Sequence, residues 1–249
     1  MKKNKILSSF LLVILLYVWV CPAFAADSSI GGSGLDAPPE LTLDVKAAYL
    51  MDLDTGETLF ELNDEDAMYP ASTTKIMTCY LALKNLNPDD TITIPEGIME
   101  GVTEGASTAY LQAGEQMTVY ELLECLMIVS ANEAANAVAI LVSGSIADFV
   151  NLMNQEAESL GCTGTHFANT NGLHDENHYT TAADMAKIAA AAMESDTFRS
   201  ICSTAQVTIP ATNLSGERTL STTNYMLPGS ANPGYAYEGT IGIKTGFTT

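Results

Sequence analysis

The sequence predicts a mixed α+β, sandwich-like fold in which an antiparallel sheet packs with helices beside a largely helical part. Three observations carry this. Near the start, "KAAYLMDLDTGETLFELN" alternates apolar and polar residues on either side of a turn at Asp54-Thr55-Gly56. The middle is a run of apolar stretches with helical spacing, three of them opened by a Ser/Thr-x-x-Asp/Glu pattern that satisfies the free amides of a first turn. Beyond Ser203 the pattern returns to short alternating segments. Early hairpin, helical middle and late strands are the order of an α+β domain.

Taken in order, residues 1–25 read as an export signal. Lys2, Lys3 and Lys5 give a basic start, Ile6 to Val20 is nearly all apolar, and small residues at Ala23 and Ala25 suit cleavage. The apolar run is short for a spanning helix. Cys21 invites a lipid-anchored reading, but Trp19 and Val20 stand before it where small residues would be expected. The chain is therefore expected to be cleaved near Ala25 and to work at the cell envelope, on the outer face of the cytoplasmic membrane. Residues 26–40, with "SSIGGSGLDAPP", read as a flexible linker. Residues 41–249 form the domain. Pro70 opens a helix over Tyr69–Leu86 whose apolar face holds Ile76, Met77, Tyr80 and Leu83. Thr118 with Glu121, Ser145 with Asp148, and Thr181 with Asp184 open three more, the second stopped at Gly161. "NEAANAVAILVSG", from Asn132, is an Ala-rich helix suited to deep burial. Gly239 to Phe247 alternates around Ile241 and Ile243 and reads as a strand inside a sheet.

The charge is lopsided, with 10 basic against 30 acidic residues and a formal net charge of −20. Without the signal, seven basic residues remain. So acidic a surface repels nucleic acid and anionic lipid, and neither is expected as a partner. Scarce positive charges make their positions informative, and two of the seven are Lys75 and Lys244. Cys79, Cys125, Cys162 and Cys202 form no Cys-x-x-Cys pair, and Cys79 and Cys125 lie in apolar helical stretches as small core residues. His174 and His178 have the i, i+4 spacing of a zinc helix, yet Asp175 stands where H-E-x-x-H needs glutamate. Asn-Gly-Leu before them speaks for a loop at a cleft rim. No metal or other cofactor is expected.

"YPASTTKIMT" places Ser72 three residues before Lys75, on one helix face. A serine hydroxyl is a weak nucleophile until a base takes its proton. Lys75 can do so only when neutral, about 4 kcal/mol away from its ordinary state near pH 7. Burial and a second cation supply shifts of that size. Lys244-Thr245-Gly246 offers the cation, and Gly246 lets a substrate backbone approach closely. Ser130-Ala131-Asn132 falls at the break between two apolar helices, where a hydroxyl can pass a proton and an amide can hold a carbonyl. Ser230-Ala231-Asn232 repeats that motif inside the Gly/Pro loop "PGSANPG", without the helix break that would fix it.

Each pattern alone is common. The set S-x-x-K, S-x-N and K-T-G in this order resembles the active site of penicillin-recognising serine enzymes. "LMDLDTGETLFELNDEDAMYPASTTKIMT", "ECLMIVSANEAANAVA", "FANTNGLHDENHYTTAADMAKIA" and "GIKTGFTT" narrow the resemblance to secreted serine-type D-alanyl-D-alanine carboxypeptidases of low molecular mass. It runs from about Lys46 to the last residue. The resemblance implies a β-lactamase/transpeptidase-like fold. It implies a chain that trims the terminal D-alanine from peptidoglycan stem peptides and is acylated by β-lactams. Ser72 would be the nucleophile, Lys75 its base and Ser130 the proton relay. Asn132 would orient the stem peptide, Lys244, Thr245 and Gly246 would meet its carboxylate end, and the backbone amides of Ser72 and Phe247 would form the oxyanion hole. Two alternatives share the fold. A class A-like β-lactamase would need an E-x-x-L-N stretch, which is not found between Asn132 and Lys244. A non-catalytic peptidoglycan-binding protein of the envelope would not need all three motifs. The resemblance also implies further strands, a terminal helix and a membrane anchor after Gly246. The chain ends three residues later, so it is expected to be C-terminally incomplete, with membrane contact only through an anchor it does not carry.

Overall fold

Strands β1 (Ala48–Met51) and β2 (Thr58–Leu62) pair antiparallel, with Ala48 opposite Leu62 and Leu50 opposite Phe60. Asp52 closes the turn between them, its Oδ1 accepting the Asp54 and Thr55 amides. The computed structural model describes residues 43–247. The expected export signal at 1–25 and the expected linker at 26–40 lie outside the described residues.

The helix read from Tyr69 is divided in the structure. Ala71–Thr74 is a 3-10 turn, and α1 (Lys75–Asn85) continues from it. α1 buries Ile76, Met77, Cys79, Leu81 and Ala82 and runs through the centre of the core. Short strands β3 (Thr91–Thr93) and β4 (Gln116–Thr118) pair across the intervening loop. Then come α2 (Val119–Ile128) and α3 (Asn132–Ser143). The capping box at Thr118 is complete: its Oγ1 accepts the Glu121 amide at 3.1 Å, and the Glu121 carboxylate accepts the Thr118 amide at 2.7 Å. α4 (Ile146–Ser159) and α5 (Ala182–Met193) start at Ser145 and Thr181 as expected. α6 (Asp196–Cys202) follows. Alanines 134, 135, 137 and 139 are fully buried on α3, and such small side chains let its backbone lie close to α1. Leu122, Leu123 and Leu126 of α2 are fully buried too, each worth about 1.5–3 kcal/mol.

Two expectations need correction. The single sheet is instead three separate two-stranded pairs among the described residues, the third being β5 (Gln206–Ile209) with β6 (Arg218–Ser221). Residues 239–247 are not a strand. Side chains rather than a backbone ladder hold them: Asn224 Nδ2 donates to the Gly242 carbonyl at 3.1 Å, and Thr223 and Thr245 share a hydroxyl bond of 2.6 Å. Ile243 packs on the core, whereas Ile241 is exposed.

Candidate active site

Three elements converge on Lys75. Starting α1 directly after a 3-10 turn puts Ser72 and Lys75 on one side, with Ser72 Oγ 3.2 Å from Lys75 Nζ. Lys75 is fully buried. Its Nζ also donates to Asn132 Oδ1 at 3.0 Å, from the first residue of α3, and to the Asn171 carbonyl at 2.6 Å. Burial above all, and then the charge of Lys244, hold the Lys75 pKa well below the ordinary lysine range, while Glu133 pulls the other way. Lys244 is itself brought down to about 8 by burial, and its Nζ donates to the Thr245 carbonyl at 2.9 Å.

Ser130 is nearly buried, takes the left-handed backbone conformation (φ 63°), and its Oγ has no hydrogen-bond partner among the described residues. A serine in that conformation is strained by about 1–3 kcal/mol, and such strain gathers at functional sites. Ala71, beside Ser72, has a positive φ as well (49°). Asn132 is engaged inside the protein: its Oδ1 faces Lys75 and its Nδ2 donates to the Ser107 carbonyl at 3.0 Å. Gly246 has a packing role in the structure. A Cβ there would lie 2.9 Å from the Pro70 carbonyl oxygen, so the glycine lets residues 244–247 lie against the turn that carries Ser72. The Phe247 side chain is exposed. Ser230 is spent in its loop, donating to the Tyr225 carbonyl at 3.0 Å, which sets the second Ser-x-Asn apart from the first.

His178 is not at a rim. It is buried beneath the site, where its Nδ1 accepts the Ala168 amide at 2.9 Å and the Asn169 amide at 3.3 Å. The proton therefore sits on Nε2, which donates to Thr74 Oγ1 at 2.7 Å. Burial lowers its pKa to about 4, so the ring is neutral at pH 7. His174 is exposed and meets Tyr69 edge-on. Among the described residues, no group of three His, Cys, Asp or Glu is placed to hold a metal.

Sequence reasoning missed Asn171, Gly172, Thr170, Asn136 and Glu133. Thr78 Oγ1 donates to the Thr170 carbonyl at 2.6 Å, and Thr170 Oγ1 donates to Asn136 Oδ1 at 2.7 Å, which ties α1, the 166–178 loop and α3 together. "NTNGL" was the available signal, since Asn-Gly marks a tight turn. Gly172 (φ +87°) packs so closely on Ala71 that a Cβ would meet its carbonyl oxygen at 1.8 Å.

The D-alanyl-D-alanine carboxypeptidase family (peptidase S11) matches residues 35–249. The chain is 33% identical over 250 residues to the D-alanyl-D-alanine carboxypeptidase DacF of Bacillus subtilis, which covers 98% of this chain and 60% of that protein. It is 34% identical over 237 residues to the D-alanyl-D-alanine carboxypeptidase of Streptomyces sp. strain K15, over 90% of this chain and 79% of the relative. The crystal structure of the Streptomyces K15 DD-transpeptidase superposes with a TM-score of 0.75 at 33% identity, over 84% of this chain and 82% of that one. The chain thus spans about three fifths of the Bacillus relative's length. Sequence and fold agree across nearly the whole of it, and the chain belongs to the D-alanyl-D-alanine carboxypeptidase family.

Proposed function

We propose that this chain carries a serine-type D-Ala-D-Ala carboxypeptidase activity. It removes the terminal D-alanine from peptidoglycan stem peptides outside the cytoplasm, and β-lactams acylate the same serine. The observation that carries this reading is the Lys75 amine, buried among Ser72 Oγ, Asn132 Oδ1 and the Asn171 carbonyl with Lys244 opposing its charge. A neutral amine has two N–H bonds and one lone pair. The two shorter contacts, to Asn171 and Asn132, use the N–H bonds and leave the lone pair for the Ser72 hydroxyl.

Ser72 Oγ then attacks the carbonyl carbon of the penultimate D-alanine as its proton passes to Lys75. The amides of Ser72 and Phe247 take the developing oxyanion, a donor there being worth about 3 kcal/mol. The C–N bond breaks, and Ser130 relays a proton to the leaving amine of the terminal D-alanine. Water cleaves the resulting ester and frees Ser72. Lys244 and Thr245 receive the substrate carboxylate beside Gly246, and Asn132 orients the stem peptide. The D-alanyl-D-alanine carboxypeptidase relatives, and the lack of an E-x-x-L-N stretch to activate a deacylating water, favour this over a β-lactamase.

Mass spectrometry after benzylpenicillin tests the reading. A persistent adduct on Ser72 is expected, lost in Ser72→Ala and kept in Ser230→Ala. Rapid release would mark a β-lactamase, and no adduct a non-catalytic binder.

A further inference from the structure

Glu133 is buried to 1% exposure directly after Asn132, and nothing in the proposed reaction uses it. One of its oxygens is fully committed. Oε1 accepts the Ala109 amide at 2.7 Å and the Leu111 amide at 3.3 Å, gripping the loop on both sides of Tyr110. Tyr110 has a positive φ (59°), so the grip holds a strained turn in place. The same loop supplies the Ser107 carbonyl, which accepts both the backbone amide of Asn132 at 2.9 Å and its Nδ2 at 3.0 Å. Those two bonds fix the side-chain amide whose Oδ1 faces Lys75. The other oxygen, Oε2, has no hydrogen-bond partner among the described residues. Burial raises the Glu133 pKa above the ordinary carboxylate range, against the Ala109 and Leu111 amides and its place in the first turn of α3, which favour the anion.

We propose that Glu133 is a positioning residue for acylation: it clamps the 107–111 turn so that Asn132 stays against Lys75, and its negative charge counterbalances Lys244 at the Lys75 amine. This rests on the assignment of Lys75 as the base of Ser72. That charge acts on the base once Glu133 has lost its proton, which burial shifts to higher pH. α1 contributes Lys75, whose amine feels both Glu133 and Lys244. α2 contributes Cys125, a thiol pushed up to about 12 by burial and therefore neutral. Glu104 and Tyr110 line the same cavity as Glu133. Arg218, beyond Cys125, is already paired with Glu115 at 2.7 Å. Glu133 and Lys244 thus act on the base with opposite sign. Lys244 makes Lys75 easier to deprotonate, and Glu133 keeps it from becoming so weak a base that Ser72 retains its proton.

The test is the pH dependence of benzylpenicillin acylation in the full-length protein, with thermal melting of each variant alongside. Glu133→Gln keeps an oxygen for the Ala109 and Leu111 amides and removes the charge. Its rising limb should move to lower pH by about one unit. Glu133→Asp keeps the charge and shortens the reach. Its limb should stay while the plateau rate falls roughly tenfold or more, as expected of a misplaced Asn132. A Gln variant that melts lower but leaves the limb where it was would reduce Glu133 to a structural residue and overturn the charge role. An Asp variant with an unchanged plateau would overturn the clamp. No adduct on wild-type Ser72 would instead overturn the reaction assignment, and this proposal with it.

Discussion

Lys244 has a role that can be separated into charge and titration. Its cation disfavours a second cation at Lys75, and burial brings its own pKa to about 8. Acylation should therefore rise with pH as Lys75 loses its proton and fall again near pH 8 as Lys244 loses the charge proposed to meet the substrate carboxylate. The two lysines interact, so the limbs report the pair rather than either residue alone. Lys244→Ala removes the opposing cation. The Lys75 pKa then rises and the rising limb moves to higher pH, with a large drop in rate. Lys244→Arg keeps a charge that does not titrate in this range, so the rising limb should stay low while the falling limb near pH 8 disappears. Rate profiles of the three proteins between pH 6 and 10 decide it. If alanine and arginine gave the same profile, the charge of Lys244 would be irrelevant and only its bulk would matter.

The site holds together as an arrangement of elements because two loops approach the Ser72 turn closely enough to require glycine. Gly172→Ala would force a Cβ against the Ala71 carbonyl oxygen in a left-handed conformation. Destabilisation of roughly 2–4 kcal/mol is expected, with loss of acylation. Gly216→Ala, where no atom lies within 4 Å of the new Cβ, should change stability by about 0.5 kcal/mol or less. A Gly172→Ala protein that melts and acylates like wild type would show that the Ala71 contact does not matter. At this scale the sequence was legible wherever the cause is local. The hairpin turn at Asp54-Thr55-Gly56 and the caps at Thr118, Ser145 and Thr181 are set by residues a few positions apart, and all of them stand as read. The candidate site motifs were legible as residue types, since Ser72 and Lys75 share one turn. What joins them was not. Asn171 reaches Lys75 across 96 residues, and His178 reaches Thr74 across 104. No local pattern announces a backbone carbonyl as an acceptor or a histidine as a core residue. The alternation at 239–247 was read as a strand, but alternation does not specify what the backbone pairs with.

Across the whole molecule, two buried groups titrate against each other. His178 is held at about 4 by burial, below its ordinary 6.5. Its unfolded form binds more protons between those values, so its contribution to stability is present above pH 6.5 and lost as pH falls to 4. Glu124 in α2 is pushed up to about 7 by burial and by neighbouring Glu121, from an ordinary 4.5. Its folded form binds more protons in that window, so its contribution is present below pH 4.5 and lost as pH rises to 7. Each amounts to about 3 kcal/mol, and the two slopes have opposite sign over nearly the same range. Their sum is close to flat, so the melting temperature should vary little between pH 4.5 and 6.5 on their account. Single variants break the balance. Glu124→Gln leaves the His178 slope alone, and the melting temperature should fall on acidification by roughly 6–12 °C more than in wild type. His178→Gln leaves the Glu124 slope alone, and the melting temperature should fall as pH rises through the same window. Only the difference in slope from wild type is read, so each variant's uniform loss of stability does not enter, and surface carboxylates common to all three proteins cancel. Lys244 contributes slope only above pH 8, outside the window. Parallel melting curves across pH for the three proteins would mean that neither group is buried in the protonation state assigned to it here.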